Sequence, residues 1–292
     1  MGYEHVLYSI RILRILVTVV HTCTIALTSW RLWYKIIQRR WWWEDVWAAT
    51  ALVAVVISEA SVWVFSEPPL ESIPEDGPVI AYWLIMVNFT IGLWASRLSI
   101  ICSIIRLSPP TRIRTIACCT AATFAAIAIA LLAQKCWFCV QNDNWKRVSP
   151  LSCPLASSVG VTQVVADFLS DLALVVLPIH ILHQVKLPRD QRIMIYSVFS
   201  GSLVTTLLSI VHAVFFIQAD PYVKILTAQL EMAFCVIVCD LLPVVTCVHK
   251  VLRRRALDRL RIPMDNHTIL LTTVLDMPSL DSPTLQGRKS MA

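Results

Sequence analysis

Glycine is scarce, at six of 292 residues, and follows no Gly-Xaa-Yaa period, which excludes a collagen-like chain. Charged residues make up only 15% of the total, too few for a polar disordered class. Three chemical signatures are also missing. There is no Gly-Xaa-Ser-Xaa-Gly nucleophile elbow, no glycine loop to cradle phosphate and no metal-ligand spacing of histidine, cysteine and carboxylate. Nor is there an internal repeat of the kind on which many transporters are built. A cleavable signal peptide is not expected either, because the first apolar run is span-length and no small-residue cleavage site follows it. It reads as an uncleaved signal anchor.

Apolar runs, by contrast, dominate. Hydrophobic residues reach 57% and mean hydropathy is +0.67, more than a soluble domain can hide in its core. A hydrocarbon core about 30 Å thick needs roughly 20 helical residues to cross it. Seven stretches qualify, near 12–34, 46–65, 79–107, 113–134, 157–182, 193–218 and 225–252. The expectation is an all-α, polytopic membrane protein: a seven-transmembrane-helix domain over 1–261, with lipid as its first partner. A cytosolic tail over 262–292, rich in Ser, Thr, Pro and Asp, has no apolar period and reads as disordered.

The net charge of +6 does not point to nucleic acid, because the basic residues sit in short loops between spans and in the proximal tail. Lys35, Arg39 and Arg40 follow the first span, Arg106, Arg112 and Arg114 the third, and Lys186, Arg189 and Arg192 the fifth. Six more lie between Lys250 and Arg261, whereas the 66–78 loop has four acids and no base. By the positive-inside rule the N-terminus is outside and the C-terminus cytosolic. Arg11, Arg14, Lys135, Lys146 and Arg147 run against this pattern and are outnumbered.

Of ten cysteines, Cys136, Cys139 and Cys153 fall in the predicted outer loop between the fourth and fifth spans. An oxidising face favours one disulfide there, either Cys136 or Cys139 pairing with Cys153. Zinc is disfavoured because no histidine accompanies the thiols. The other cysteines lie within spans and read as small packing residues.

Polar groups inside spans are the best pointers to function, since a carboxylate at the bilayer centre costs about 2.5 kcal/mol or more on insertion scales unless it faces the bundle. Gln163, Asp167, Ser170 and Asp171 share one face of the fifth span, and Ser202, Thr205, Thr206, Ser209 and His212 one face of the sixth. The two helices read as antiparallel neighbours. Equal steps from their connecting loop set Asp171 level with Thr205, Asp167 with Ser209 and Gln163 near His212. The stripes either hydrogen-bond the helices together or form a cleft for an ion or small ligand, with Asp167 and Asp171 as its floor. Glu59, Glu231 and Asp240 are further buried acids, and Arg97 reads as the basic group deep in a span. A pair of Arg97 with Asp240 stands beside the alternative that Arg97 snorkels to the interface.

Several runs carry a family resemblance. Trp42-Trp43-Glu44-Asp45-Val46-Trp47-Ala48 enters the second span; Tyr82-Trp83-Leu84, Arg97-Leu98-Ser99 and Ile105-Arg106 mark the third. Asp167 and Asp171 precede Pro178, and Phe199-Ser200 leads through Thr205-Thr206 to Ile210-Val211-His212. In their order and spacing, over roughly residues 10–255, these motifs resemble the fungal rhodopsin-like membrane domain. The resemblance implies a receptor-like or sensor-like seven-helix protein at the plasma membrane, with an unidentified small-molecule or ion ligand and a cytosolic signalling partner. A true rhodopsin carries retinal on a lysine deep in the seventh span, and here that span has only Lys224 and Lys250 at its ends. No covalent retinal or other cofactor is expected. The alternatives are a membrane-embedded, cyclase-like enzyme using the buried carboxylates, and a proton- or cation-coupled transporter.

Overall fold

The structure is a computed structural model that describes residues 2–39, 41–66, 77–108, 112–141, 153, 157–184, 200–212, 214 and 221–260. The described backbone is helical apart from short turns: α1 (Gly2–Ile37), α2 (Trp43–Ser66), α3 (Gly77–Leu107), α4 (Arg112–Gln141), α5 (Ser157–Gln184), α6 (Ser200–His212) and α7 (Pro221–Leu260). Five of them, α1 to α5, are long and apolar enough to cross a membrane. α6 is a shorter apolar helix, because the rest of the expected sixth span lies outside the described residues. The chain divides into a unit over 1–248 and a second over 249–292, of which only the helical residues to Leu260 are described. The 262–292 tail, the acidic loop and most of the 183–192 loop lie outside the description.

Local chemistry sets the ends of these helices. Arg39 turns the chain out of α1 in the left-handed conformation, with φ of 51°. Three residues on, the Trp42 N–H donates to Asp45 Oδ2 at 3.1 Å, the back-reaching half of a capping box. Glu44 and Asp45 also place negative charge in the first turn of α2, where the helix dipole favours it.

Burial varies sharply between helices. In α3, 67% of the apolar window is buried, against 17% in α4, so α3 is central and α4 faces mostly lipid. α3 packs against α2, α4 and α5. The main core joins Ala51 and Val55 of α2, Leu93 and Trp94 of α3, Phe124 of α4, Leu174 of α5 and Met232 of α7. Lipid is as apolar as leucine, so close packing rather than escape from water drives these contacts. Small residues supply it. Ala117, Ala121 and Ala125 of α4 pack into the core, and Gly92 and Gly201 bring α3 and α6 against Met232 and Val238 of α7.

α4 runs seven residues past the expected end at 134, to Gln141, and this corrects the sequence reading of its C-terminal end. Cys136 and Cys139 sit in its last turns rather than in a loop, and Lys135 faces inward at 5% exposure. The stretch Leu131 to Val140 stays apolar enough to remain helical, and Lys135 finds a hydroxyl partner inside. Cys139 and Cys153 form a disulfide, with Cα atoms 5.7 Å apart, and Cys136 is left as a thiol. Tyr82 and Met86 of α3 pack around that bridge.

Candidate functional site

Arg97 lies on α3 at 2% exposure, too deep for snorkelling. Its guanidinium meets two carboxylates of α5. Nη1 donates to Asp167 Oδ1 at 2.5 Å, and Nε donates to Asp171 Oδ1 at 3.2 Å. The planar fork of arginine suits such two-acid recognition. Gln163, one turn before Asp167, donates through Nε2 to both its oxygens, at 3.0 and 2.9 Å. On the other side, the hydroxyls of Thr205 and Thr206 of α6 lie 3.1 and 3.0 Å from Asp171 Oδ2 and share their protons with the Ser202 carbonyl, at 3.0 and 2.8 Å, and Ser202 donates to the Asp171 carbonyl at 3.2 Å.

The lower residues of α6 turn toward α7. Ser209 donates to Glu231, and the ring of His212 faces Thr227, with Nδ1 at 3.0 Å from Oγ1. The Thr227 hydroxyl has its own acceptors in the carbonyls of Val223 and Lys224, so the bond to His212 is best satisfied with Nδ1–H donating. Thus Asp171 and Thr205 face each other, whereas Ser209 faces Glu231 rather than Asp167. Lys135 of α4 donates to Thr90 Oγ1 at 2.8 Å and sits 5.0 Å above the Phe89 ring. It also lies within electrostatic reach of Asp167 and Glu231. Two buried cations, Arg97 and Lys135, therefore serve three buried carboxylates. A cavity of about 20 Å³ opens between Arg97, Asp171, Thr205 and Cys235. That is room for one water, not for an organic molecule.

The expected pair of Arg97 with Asp240 is not formed. Asp240 belongs to a second network, centred on Arg31 of α1. Arg31 Nη1 donates to Asp240 Oδ1 at 3.0 Å, and the Thr28 hydroxyl donates to Oδ2 at 2.5 Å. Arg31 also lies 3.7 Å from Asp45 and donates to Ser99 at 3.4 Å. Lys35 pairs with Glu44 and Asp45, and Glu44 in turn accepts from Ser103 at 2.7 Å and Arg106 at 2.9 Å. Three bases and three acids thereby join α1, α2, α3 and α7. Arg97 is accordingly not the sole deep base. Sequence reasoning passed over Arg31, and the signal for it was present: His21, Thr24, Thr28, Arg31 and Lys35 recur at alternating steps of three and four along one face of α1.

Glu59 stands apart from both networks. Its Oε2 lies 2.8 Å from His21 Nδ1, and its Oε1 accepts from Trp63 Nε1 at 2.8 Å. The far nitrogen of His21 reaches the Gln229 carbonyl at 3.2 Å, tying α1 to α7. Among the described residues no three His, Cys, Asp or Glu side chains converge to hold a metal ion.

Trp30, Trp33, Trp41 and Trp43 are exposed around the α1–α2 turn, where amphipathic rings suit the headgroup level of a bilayer. The buried ionic networks thus sit inside membrane-type helices. No curated protein matches the chain. The fungal rhodopsin domain matches residues 30–254, a stretch that holds Arg31, Glu44, Arg97, both α5 aspartates, Glu231 and Asp240. With well over half of its length matched, the chain belongs to the fungal rhodopsin domain family of membrane proteins.

Proposed function

We propose that this protein is a seven-helix, receptor-like or sensor-like integral membrane protein of the plasma membrane, without covalently bound retinal. Its N-terminus faces outside and its C-terminus the cytosol. The sensing element is the polar cluster of α3, α5, α6 and α7, and its ligand is a proton, a small cation or a small polar molecule. The observation that carries the reading is the sharing of Asp171 between Arg97 and two threonines of α6. Helix packing needs no ionisable group, and here a carboxylate paired with arginine bonds α6 to the core. Gln163 Oε1 is buried beside it and accepts no hydrogen bond among the described residues, which leaves an acceptor for a ligand or proton carrier. The small cavity favours an ion or a water-borne proton, or a ligand that enters as α6 moves.

The test is a stabilisation screen on the purified full chain, with cations, pH and polar small molecules as variables. A stabilising condition that the wild type shows and the inserted, folded Asp171→Asn variant lacks supports the reading. An equal response in both variants returns the cluster to a purely structural role. Turnover of a substrate, or substrate-dependent flux in proteoliposomes, replaces a sensor with an enzyme or a transporter. A terminal tag accessible from outside only at the N-terminus of intact cells supports the orientation, and the reverse pattern overturns it.

A further inference from the structure

A groove of about 680 Å³ runs between α4 and α5, and none of its lining residues is a charged member of either ionic network. Arg112 stands at one end, and Phe124 and Ile127 of α4 with Leu169 and Ala173 of α5 form its walls. Two of the three threonines that also line it have their hydroxyls bonded to the backbone of α4. Thr120 donates to the Ile116 carbonyl at 2.9 Å and Thr123 to the Cys119 carbonyl at 3.0 Å. Ser170 likewise donates to the Asp167 carbonyl at 2.8 Å. The wall is therefore mainly apolar despite its hydroxyl residues, and among the described residues no carboxylate lines it.

From Arg112 to Ile127 the helix rises about 22 Å at 1.5 Å per residue, more than the roughly 15 Å depth of one leaflet. Arg112 opens α4 and is exposed. A guanidinium there stands at headgroup level, next to first-turn N–H groups that favour an anion. An apolar trough one leaflet long, with a cation at its polar end and no carboxylate among its described lining residues, is complementary to one kind of molecule. We propose that the α4–α5 groove binds an anionic glycerophospholipid, its net-negative headgroup at Arg112 and one acyl chain lying between Phe124 and Leu169. The proposed orientation decides only which leaflet supplies the lipid; the groove and its charge do not depend on it.

The experiment uses the purified full chain in neutral detergent, where no leaflet exists, so its result is independent of that orientation. Phosphatidylserine and phosphatidylcholine with identical chains are titrated, and the bound fraction is read by native mass spectrometry. One arginine at a membrane surface corresponds to about a fivefold preference for the anionic lipid. Arg112→Gln should reduce that preference to near unity. Thr123→Trp, at an exposed position in the groove, should lower retention of both lipids. Millimolar inorganic phosphate should displace neither lipid, which separates a lipid site from a simple anion site. Equal retention of the two lipids by the wild type means annular lipid only and overturns the proposal. Loss of Arg112 without effect does the same. Efficient Cys119-to-Cys119 crosslinking between two copies in native membranes also overturns it, because a second copy then fills the groove.

Discussion

Asp171 accepts from Arg97 on one oxygen and from Thr205 and Thr206 on the other, so a single carboxylate of α5 ties α3 to α6. Its neighbour Asp167 takes the shorter contact with Arg97 and the amide of Gln163. The two aspartates are therefore unequal. Asp167 mainly neutralises Arg97, and Asp171 mainly carries the connection to α6.

That division predicts an ordering of variants. Arg97→Gln leaves two buried carboxylates without their cation and should cost about 3–5 kcal/mol. Asp171→Asn should cost less, because the amide oxygen still accepts from the threonines and Asp167 still pairs with Arg97. Thermal unfolding in detergent gives the order, and a cycle through the Arg97→Gln/Asp171→Asn double variant gives the coupling. Additive effects would show that the pair does not interact.

The second network predicts a contrast between two bases four residues apart. Arg31, with its side chain 2% exposed, has Asp240, Asp45, Ser99 and the Cys239 carbonyl to lose, whereas the Lys35 side chain is 16% exposed. Arg31→Gln should destabilise by about 3–5 kcal/mol, and Lys35→Gln by no more than about 1 kcal/mol. Equal shifts in melting temperature for the two would remove the claim that Arg31 organises the network.

Apolar run length was enough to place α1 to α5, because a bilayer demands long helices and little else. The partners of buried charges were less legible. Periodicity assigns a residue to a face but not that face to a neighbour, so Asp240 could be placed inside while its partner was sought on α3 rather than α1. Loop charge counting hid a second fact. Lys35, Glu44, Asp45 and Arg106 were weighed as orientation signals or helix-entry residues, yet they bond one another across α1, α2 and α3. Lys135 likewise reads from the sequence as a loop residue, since a lysine near the end of an apolar run looks like its end. Its partners, the hydroxyl of Thr90 45 positions away and the Phe89 ring, let the helix continue past it.

The Cys139–Cys153 bridge makes a chemical prediction. Before reduction, a maleimide should label Cys136 but not Cys139 or Cys153; after reduction all three should react. Cys153→Ser should cost about 3 kcal/mol, the loop-closure value for a ring of this size. Labelling of Cys139 without reductant would contradict the bridge.

The last prediction concerns the contact that seats α6 against α7. A methyl added at Gly201 would be driven into Cγ1 of Val238. Val238 is β-branched, so its side chain cannot swing aside through a flexible stem as Met232 can opposite Gly92. Gly201→Ala should therefore push α6 outward and cost about 1–3 kcal/mol, despite the helix propensity that alanine adds. Gly92→Ala should cost less. The decisive control is Gly201→Ala with Val238→Ala, which removes the obstructing methyl and should recover most of the lost melting temperature. If Val238→Ala gives no recovery, the two helices do not meet at this point, and Thr205 and Thr206 are not held against Asp171 by the packing described.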